Sequence, residues 1–227
     1  MRNIAVIPAR GGSKRIHKKN IRNIGGLPTI GWPIQTAFKS ECFDRVIVST
    51  DDQEIATIAK DLGADIPFIR SKELSDDYTG TTEVIRDAVN KLNLSDEDRV
   101  CCIYATAILM NENDLLKGKK KLNAGAKWVF SVGRFSNPID RAYFKKGEKL
   151  LPRSVDMMMK RSQDCEVSYF DCGQFYWALA STWKDAKSYV WDGAEGVEIP
   201  KIRAIDIDNE DDFELAEKVL NSLHGKK

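Results

Sequence analysis

Histidine is nearly missing from the 227 residues: only His17 and His224 occur. With only these two, the second in the C-terminal tail, a His-based zinc site or a Ser–His–Asp triad is nearly excluded, and the chemistry is expected to run on Asp, Glu, Lys, Arg and backbone amides. The five cysteines, Cys42, Cys101, Cys102, Cys165 and Cys172, are odd in number and form no CxxC pair. That removes the usual zinc-ribbon and thioredoxin spacings and leads us to expect reduced thiols in a cytoplasmic protein. No apolar run approaches the ~20 residues that span a bilayer, and no long signal-type core follows the N-terminus, so no membrane partner is expected. Net charge is +1, from 35 Lys and Arg against 34 Asp and Glu, which leaves no overall field to recruit nucleic acid. Neither GxxxxGK[ST] nor GxGxxG is present. Their absence excludes a Walker loop and disfavours a dinucleotide-dependent dehydrogenase.

What is present has a lopsided order. Residues 1–40 carry eight Lys or Arg and no acid, whereas residues 204–217 carry seven Asp or Glu and no base. Two solvated surfaces would account for these runs. So would a cationic pocket facing an anionic cluster, the pair that a polyphosphate and a divalent metal would satisfy. The apolar run Ile4–Pro8 leads straight into Ala9-Arg10-Gly11-Gly12-Ser13-Lys14-Arg15 and on to Lys18-Lys19-Asn20. Glycines let backbone N–H groups turn toward a phosphate, and Arg and Lys add charge.

The hydrophobic pattern predicts strands over Ile4–Pro8, Arg45–Ser49, Ile66–Ile69, Val100–Tyr104, Lys127–Val132, Asp171–Leu179 and Arg203–Ile207. Helices are predicted over Thr29–Ser40, from an Asp51 cap to Gly63, and over Thr81–Leu92, Leu115–Asn123 and Asn209–Leu223. In the last of these, Phe213, Leu215, Ala216, Val219 and Leu220 are expected inward. Alternating strands and helices imply a mostly parallel three-layer α/β sheet, with its site beyond the carboxyl ends of the strands. We expect a single domain over residues 1–227. Residues 133–171, rich in charge and without a βα period, form an insertion within it. Asp206 and Asp208, two apart in an extended stretch, should project together with Ile205 and Ile207 packed behind them. Paired carboxylates of this kind suit Mg²⁺, although Asp208 could instead cap the final helix. Arg70 and the Thr79-Gly80-Thr81-Thr82 helix start are further anion contacts, or else an ordinary surface charge and cap. Phe175-Tyr176-Trp177 reads as core strand.

These segments together resemble the CMP-sugar synthetases that activate acidic nonulosonic and octulosonic sugars. IPARGGSKRIHKKN is similar to that superfamily's nucleotide loop, VIVSTDD to its second strand and turn, and IDIDNEDDFELAE to its C-terminal metal motif. The RSQD of residues 161–164, the DCGQFYW of residues 171–177 and the YATA of residues 104–107 resemble the pseudaminic acid cytidylyltransferases among them. The departures are His17, Ile108, Phe170 and Cys172; Ile108 and Phe170 are expected to bear on the sugar pocket.

The resemblance implies a Rossmann-like sheet of the nucleotide-diphospho-sugar transferase type, with residues 133–171 as a dimerisation arm and the chain a homodimer. It implies that CTP and an acidic nine-carbon sugar become a CMP-sugar and pyrophosphate. Arg10, Lys19, Asp206 and Asp208 would be catalytic, with Mg²⁺ on Asp206 and Asp208. Ala9, Arg10, Gly11, Gly12, Ser13, Lys19, Asn20, Arg70, Thr81 and Thr82 would bind the nucleotide. Tyr104, Arg141, Arg161, Gln163, Asp171 and Gln174 would bind the sugar, with Arg141 or Arg161 serving the neighbouring subunit's site. N-acylneuraminate, legionaminate or 3-deoxy-octulosonate is the rival substrate, and a non-catalytic nucleotide-binding module the rival class.

Overall fold

The computed structural model describes residues 1–225; Lys226 and Lys227 of the expected domain lie outside them. Strands β1 (Asn3–Pro8), β4 (Arg45–Ser49), β5 (Arg99–Ile103), β6 (Trp128–Arg134), β9 (Tyr169–Leu179) and β10 (Ala194–Ile199) form one sheet in the order β10-β6-β9-β5-β1-β4. Two small hairpins, β2–β3 (Asn23–Ile24, Leu27–Pro28) and β7–β8 (Tyr143–Lys146, Lys149–Pro152), stand apart from it. Within the sheet only β9 is antiparallel to its neighbours. Ile4, Ala5, Val6 and Ile7 of β1 are all fully buried, as expected of a central parallel strand covered on both faces.

Helices α1 (Gly31–Lys39), α2 (Gln53–Asp61) and α4 (Glu112–Asn123) cover one face, and α3 (Thr81–Lys91) and α6 (Ala180–Lys184) the other. The remaining two helices are α5 (Val155–Met158), a single turn, and α7 (Glu210–Leu223). Pro33 does not break α1, because the first-turn N–H groups have no intrahelical acceptor to lose. Helix α7 does not pack on the sheet. Its Phe213, Ala216 and Leu220 close on Ile16, Ile24, Ile108, Leu109 and Ile207, the loops at one end of the strands. The acidic C-terminal run is thereby brought to the basic N-terminal loop. Leu215, expected inward, is exposed.

Three expected elements differ. The α2 cap is Asp52, whose carboxylate accepts from Ile55 N at 3.0 Å, and not Asp51. Ile66–Ile69 is no strand; isolated bridges join Asp65 to Ile47 of β4 and Ile69 to Thr50 just past it, and Pro67 between them has no N–H to pair. Arg203–Ile207 makes no ladder either. The edge position belongs to β10, whose Val197 and Ile199 face inward between exposed glutamates. The inserted segment leaves the sheet where β6 and β9 pair at Arg134 and Tyr169, and its hairpin exposes Tyr143, Phe144, Leu150 and Leu151.

Asp98 ties the N-terminus to the sheet. Its carboxylate, 1% exposed, accepts from Arg2 N, Nε and Nη2 at 2.7, 3.1 and 2.7 Å and from Ser95 N at 3.0 Å. Burial by itself would raise this pKa, but the Arg2 guanidinium and the N–H donors hold it well below the usual carboxylate range. A depressed folded-state pKa gives stability that is present above the unfolded value of ~3.9 and is lost as pH falls below it. Asp98→Ala is expected to lower stability at neutral pH by about 1–2 kcal/mol, through loss of hydrogen bonds to a charged group whose donors Arg2 and Ser95 can turn to water. Thermal unfolding should also show a shallower acid dependence than the parent; matching acid profiles would refute this assignment.

Candidate active site

The loops beyond the strands enclose a cleft of about 310 Å³. Among its lining residues are Arg10, Ser13, Lys14, Arg15, Lys19, Asn20, Arg70, Thr81, Tyr104, Asp206 and Asp208. The basic N-terminal loop and the acidic C-terminal run thus do share one site.

The glycine loop is braced from β4. Asp51 accepts from Gly11 N at 3.1 Å, and a Cβ on Gly11 would come within 2.5 Å of the Asp52 carboxylate. Only glycine allows the loop to run this close. Ala9 is buried and donates its N–H to Ser49 O, and Gly12 has open space around its Cα. Asn20, also buried, donates to Arg10 O at 2.9 Å and so fixes the loop's curl. Arg70 is 4% exposed; it donates to Ser75 Oγ and Ser49 O and stands 3.6 Å from Asp51. Burial lowers its pKa, with Asp51 opposing. Thr81 and Tyr104 share a hydrogen bond of 2.9 Å across the cleft wall. Thr82, half-buried, is absent from the lining.

Lys19 donates to Ile207 O at 2.8 Å, directly linking the basic loop to the carboxylate segment. Burial lowers its pKa, and Asp208 opposes that shift. Asp206 is exposed along one edge of the cleft, yet burial of its carboxyl and the charge of Asp208 push it up to about 6. Asp208 pairs with Arg15 at 2.9 Å and does not cap α7; Asn209 does, in a capping box with Asp212. Gly173, at φ +62°, lies against Asp206, where a Cβ would come within 2.9–3.0 Å of the carboxylate. Among the described residues no three His, Cys, Asp or Glu cluster as metal ligands. The carboxylate pair offers hard oxygen donors whose mutual repulsion a divalent cation would relieve, so its chemistry fits such an ion, with water and phosphate oxygens completing the shell.

The expected sugar residues divide. Tyr104 lines the cleft. Asp171, outside the lining, is exposed and accepts from Gly173 N at 3.0 Å and Tyr176 Oη at 2.6 Å. Gln174 is 1% exposed, and its amide donates to Arg203 O at 2.6 Å. Arg141, Arg161 and Gln163 sit on the inserted segment away from this cleft, and Arg161 is held bidentately by its own Asp164. Ile108 packs under α7, and Phe170 packs against Gly133 at the base of the insertion; neither lines the cleft.

Sequence reading missed Arg15, Asp51, Asp76 and Asp77 as site residues. Arg10 donates to Asp76 O at 2.7 Å and pairs with Asp77 at 2.7 Å; Lys14 also pairs with Asp77. Lys14 and Arg10 hold the Asp77 carboxyl below its ordinary range. Nothing in the SDDYTG stretch distinguishes these acids from a polar turn. Since Asp77 occupies the cations a phosphate would use, Asp77→Asn should tighten binding of inorganic triphosphate a few-fold by titration calorimetry. Weaker or equal binding would show that the carboxylate does not compete.

A three-layer sheet with a glycine–arginine loop and paired carboxylates across one cleft defines a nucleotidyltransferase type of fold. It superposes on the structure of CMP:2-keto-3-deoxy-manno-octonic acid synthetase complexed with CTP, with a TM-score of 0.71, 15% identity and 100% of both chains covered. Residues 4–169 match the family model described as Cytidylyltransferase, and the chain belongs to that family of nucleotidyltransferase enzymes. It is 37% identical over 228 residues to the pseudaminic acid cytidylyltransferase of Campylobacter jejuni subsp. jejuni serotype O:23/36 (strain 81-176), covering 99% of this chain and 98% of the relative. It is also 30% identical over 231 residues to the CMP-N,N'-diacetyllegionaminic acid synthase of Legionella pneumophila subsp. pneumophila, covering 97% of each. No helix among the described residues is long and apolar enough to cross a membrane.

Proposed function

We propose that this enzyme joins CTP to pseudaminic acid, releasing pyrophosphate and forming the CMP-sugar, with a divalent cation, Mg²⁺, as cofactor. The observation that carries the reading is the near full-length 37% identity to a pseudaminic acid cytidylyltransferase, supported by a cleft whose cations and carboxylates suit a nucleoside triphosphate and a metal. Arg10, Lys14 and Lys19 bind the phosphates, beside the Gly11–Ser13 turn whose Gly11 N–H is held by Asp51 and whose Ser13 N–H is held by Gly11 O. Asn20 and Arg70 fix the loop and the wall against which the nucleotide lies. Asp206 and Asp208 hold the cation, which when bound polarises the α-phosphate and shields its charge from the attacking oxygen. The anomeric hydroxyl of the sugar acid attacks that phosphorus, its bond to the bridging oxygen breaks, and pyrophosphate departs. Rate comes mainly from positioning and charge neutralisation.

The sugar's own carboxylate requires a cation. Arg141 and Arg161 lie on the exposed insertion, so the reading assigns them to the site of a second copy, reached by the 133–171 arm in a homodimer. The uncovered Tyr143, Phe144, Leu150 and Leu151 of its hairpin support that assignment. A strict monomer by light scattering would remove it.

Pyrophosphate release with CTP and Mg²⁺ tests the whole reading, with pseudaminic, N-acetylneuraminic, N,N'-diacetyllegionaminic and 3-deoxy-octulosonic acids offered in parallel and products weighed by mass spectrometry. Turnover with pseudaminic acid, abolished by chelator and restored by Mg²⁺, is expected. Turnover with the legionaminic acid alone would favour the second reading, to which the Legionella relative lends support. Silence with all four, alongside intact CTP binding, would favour a non-catalytic nucleotide-binding module.

A further inference from the structure

Residues 203–208 carry Asp206 and Asp208, yet they form no ladder with the sheet. A stretch without ladder bonds keeps its place only through other contacts. Besides the turn at Pro200, the Arg15–Asp208 pair and the Leu109 carbonyl, four partners hold it. Gln174 donates to Arg203 O at 2.6 Å, Lys19 donates to Ile207 O at 2.8 Å, and Asp208 N donates to Asp212 at 3.0 Å. The fourth is Asp114, which takes the Arg203 guanidinium bidentately at 2.5 and 3.1 Å.

That last pair is deeply buried, with side-chain exposures of 12% for Arg203 and 2% for Asp114. Each partner has a second duty. Arg203 Nη1 also donates to Leu109 O at 2.9 Å, at the end of the loop that brings Tyr104, Ala105 and Thr106 to the cleft. Asp114 also accepts from Asn111 N at 3.0 Å, closing the capping box that starts α4. One guanidinium therefore joins the carboxylate segment, the loop after β5 and the first turn of α4. Buried ion pairs are poor sources of net stability, since apolar residues of similar volume often serve as well. What a planar fork on a carboxylate supplies is a fixed orientation, three residues before Asp206.

We propose that the Arg203–Asp114 pair is a positioning device for the Asp206 and Asp208 carboxylates and sets how tightly they hold a divalent cation. This rests on the reading that those two carboxylates are the cation's ligands. Neither Arg203 nor Asp114 touches the ion; both act by holding the backbone from which its ligands project.

The test uses Mn²⁺ uptake in the presence of CTP, followed by electron paramagnetic resonance, together with thermal unfolding and CTP binding in EDTA. Arg203→Lys keeps the charge but loses the fork, and Asp114→Asn keeps the shape but loses the charge. Both variants are expected to fold with a lowered melting temperature and to bind CTP without metal within about twofold of the parent. Their Mn²⁺ affinity should fall on the order of 10- to 100-fold, the usual cost of disturbing a metal site's outer contacts. Asp114→Glu, which can still meet the fork, should recover part of that loss. Unchanged Mn²⁺ affinity in folded Arg203→Lys overturns the proposal, as does a parallel collapse of metal-free CTP binding. Should Asp114→Asn fail to fold, Arg203→Lys carries the comparison. A parent chain that takes up no Mn²⁺ overturns the underlying reading of the carboxylates, and the proposal with it.

Discussion

Asp206→Asn is expected to lower kcat by about 10²–10³-fold, the scale seen when one group that stabilises transition-state charge is removed, while the melting temperature stays within a few degrees of the parent. Asp206 is exposed along the cleft edge and Asp208 is half-exposed, so neither carboxylate supports the core. Desolvation of the Asp206 carboxyl against the cleft wall and repulsion from Asp208 push it up to about 6, so keeping both ionised carries a cost. Removing one charge relieves that cost and can even stabilise the fold. Activity and stability should therefore move apart, as a ligand-holding role requires. Asp208→Ala should behave alike, although it also frees Arg15. Steady-state kinetics at saturating Mg²⁺ beside calorimetric melting separates the alternatives: near-parental turnover in either variant would refute the metal role.

Gly173→Ala should produce the other large effect, through geometry instead of charge. At φ +62° an L side chain costs roughly 1–2 kcal/mol. The added Cβ would also come within 2.9–3.0 Å of the Asp206 carboxyl atoms. Asp206 has to yield, since Gly173 is fixed in the sheet between Asp171 and the buried Gln174. The expected result is a melting temperature lowered by several degrees and a kcat reduced by at least tenfold, with KM for CTP little changed. Loss of stability at unchanged kcat would show that the glycine serves only the backbone.

Much of this architecture was legible because its cause is local. The buried runs of β1, β4 and β5 are short, unbroken and apolar, and α3 carries its apolar positions at helical spacing. Strand β9 is recognisable by composition, but its antiparallel sense is not, because direction depends on where the preceding insertion returns. Strand β10 escaped notice because an edge strand with one buried face shows only Val197 and Ile199 among glutamates and a glycine. Arg203–Ile207 reads as a strand from Ile205 and Ile207, but nothing local reveals that β10 has already taken the edge. Among cleft residues, Arg10, Ser13, Lys19 and Asn20 of the continuous basic loop and the pair Asp206/Asp208 were visible because spacing alone brings their groups together. Asp51, Asp77, Asp114 and Arg203 were not. Each acquires its role from a partner at least 40 positions away, and a lone acid or arginine carries no sign of such a partner.

The pairing of Arg10 and Lys14 with Asp77 has a further consequence for how the cleft selects what enters it. A ligand arriving there exchanges anions instead of meeting bare cations, so its affinity is a difference between two sets of contacts. Asp77 presents one negative charge to two positive groups. A triphosphate outbids it easily; a carboxylate or a singly charged buffer anion scarcely does. A resident carboxylate held by two cations would favour polyanions over the simple salts that surround them. A ligand that displaced Asp77 would leave the bond from Arg10 to Asp76 O as the tie between the glycine loop and the 71–80 segment.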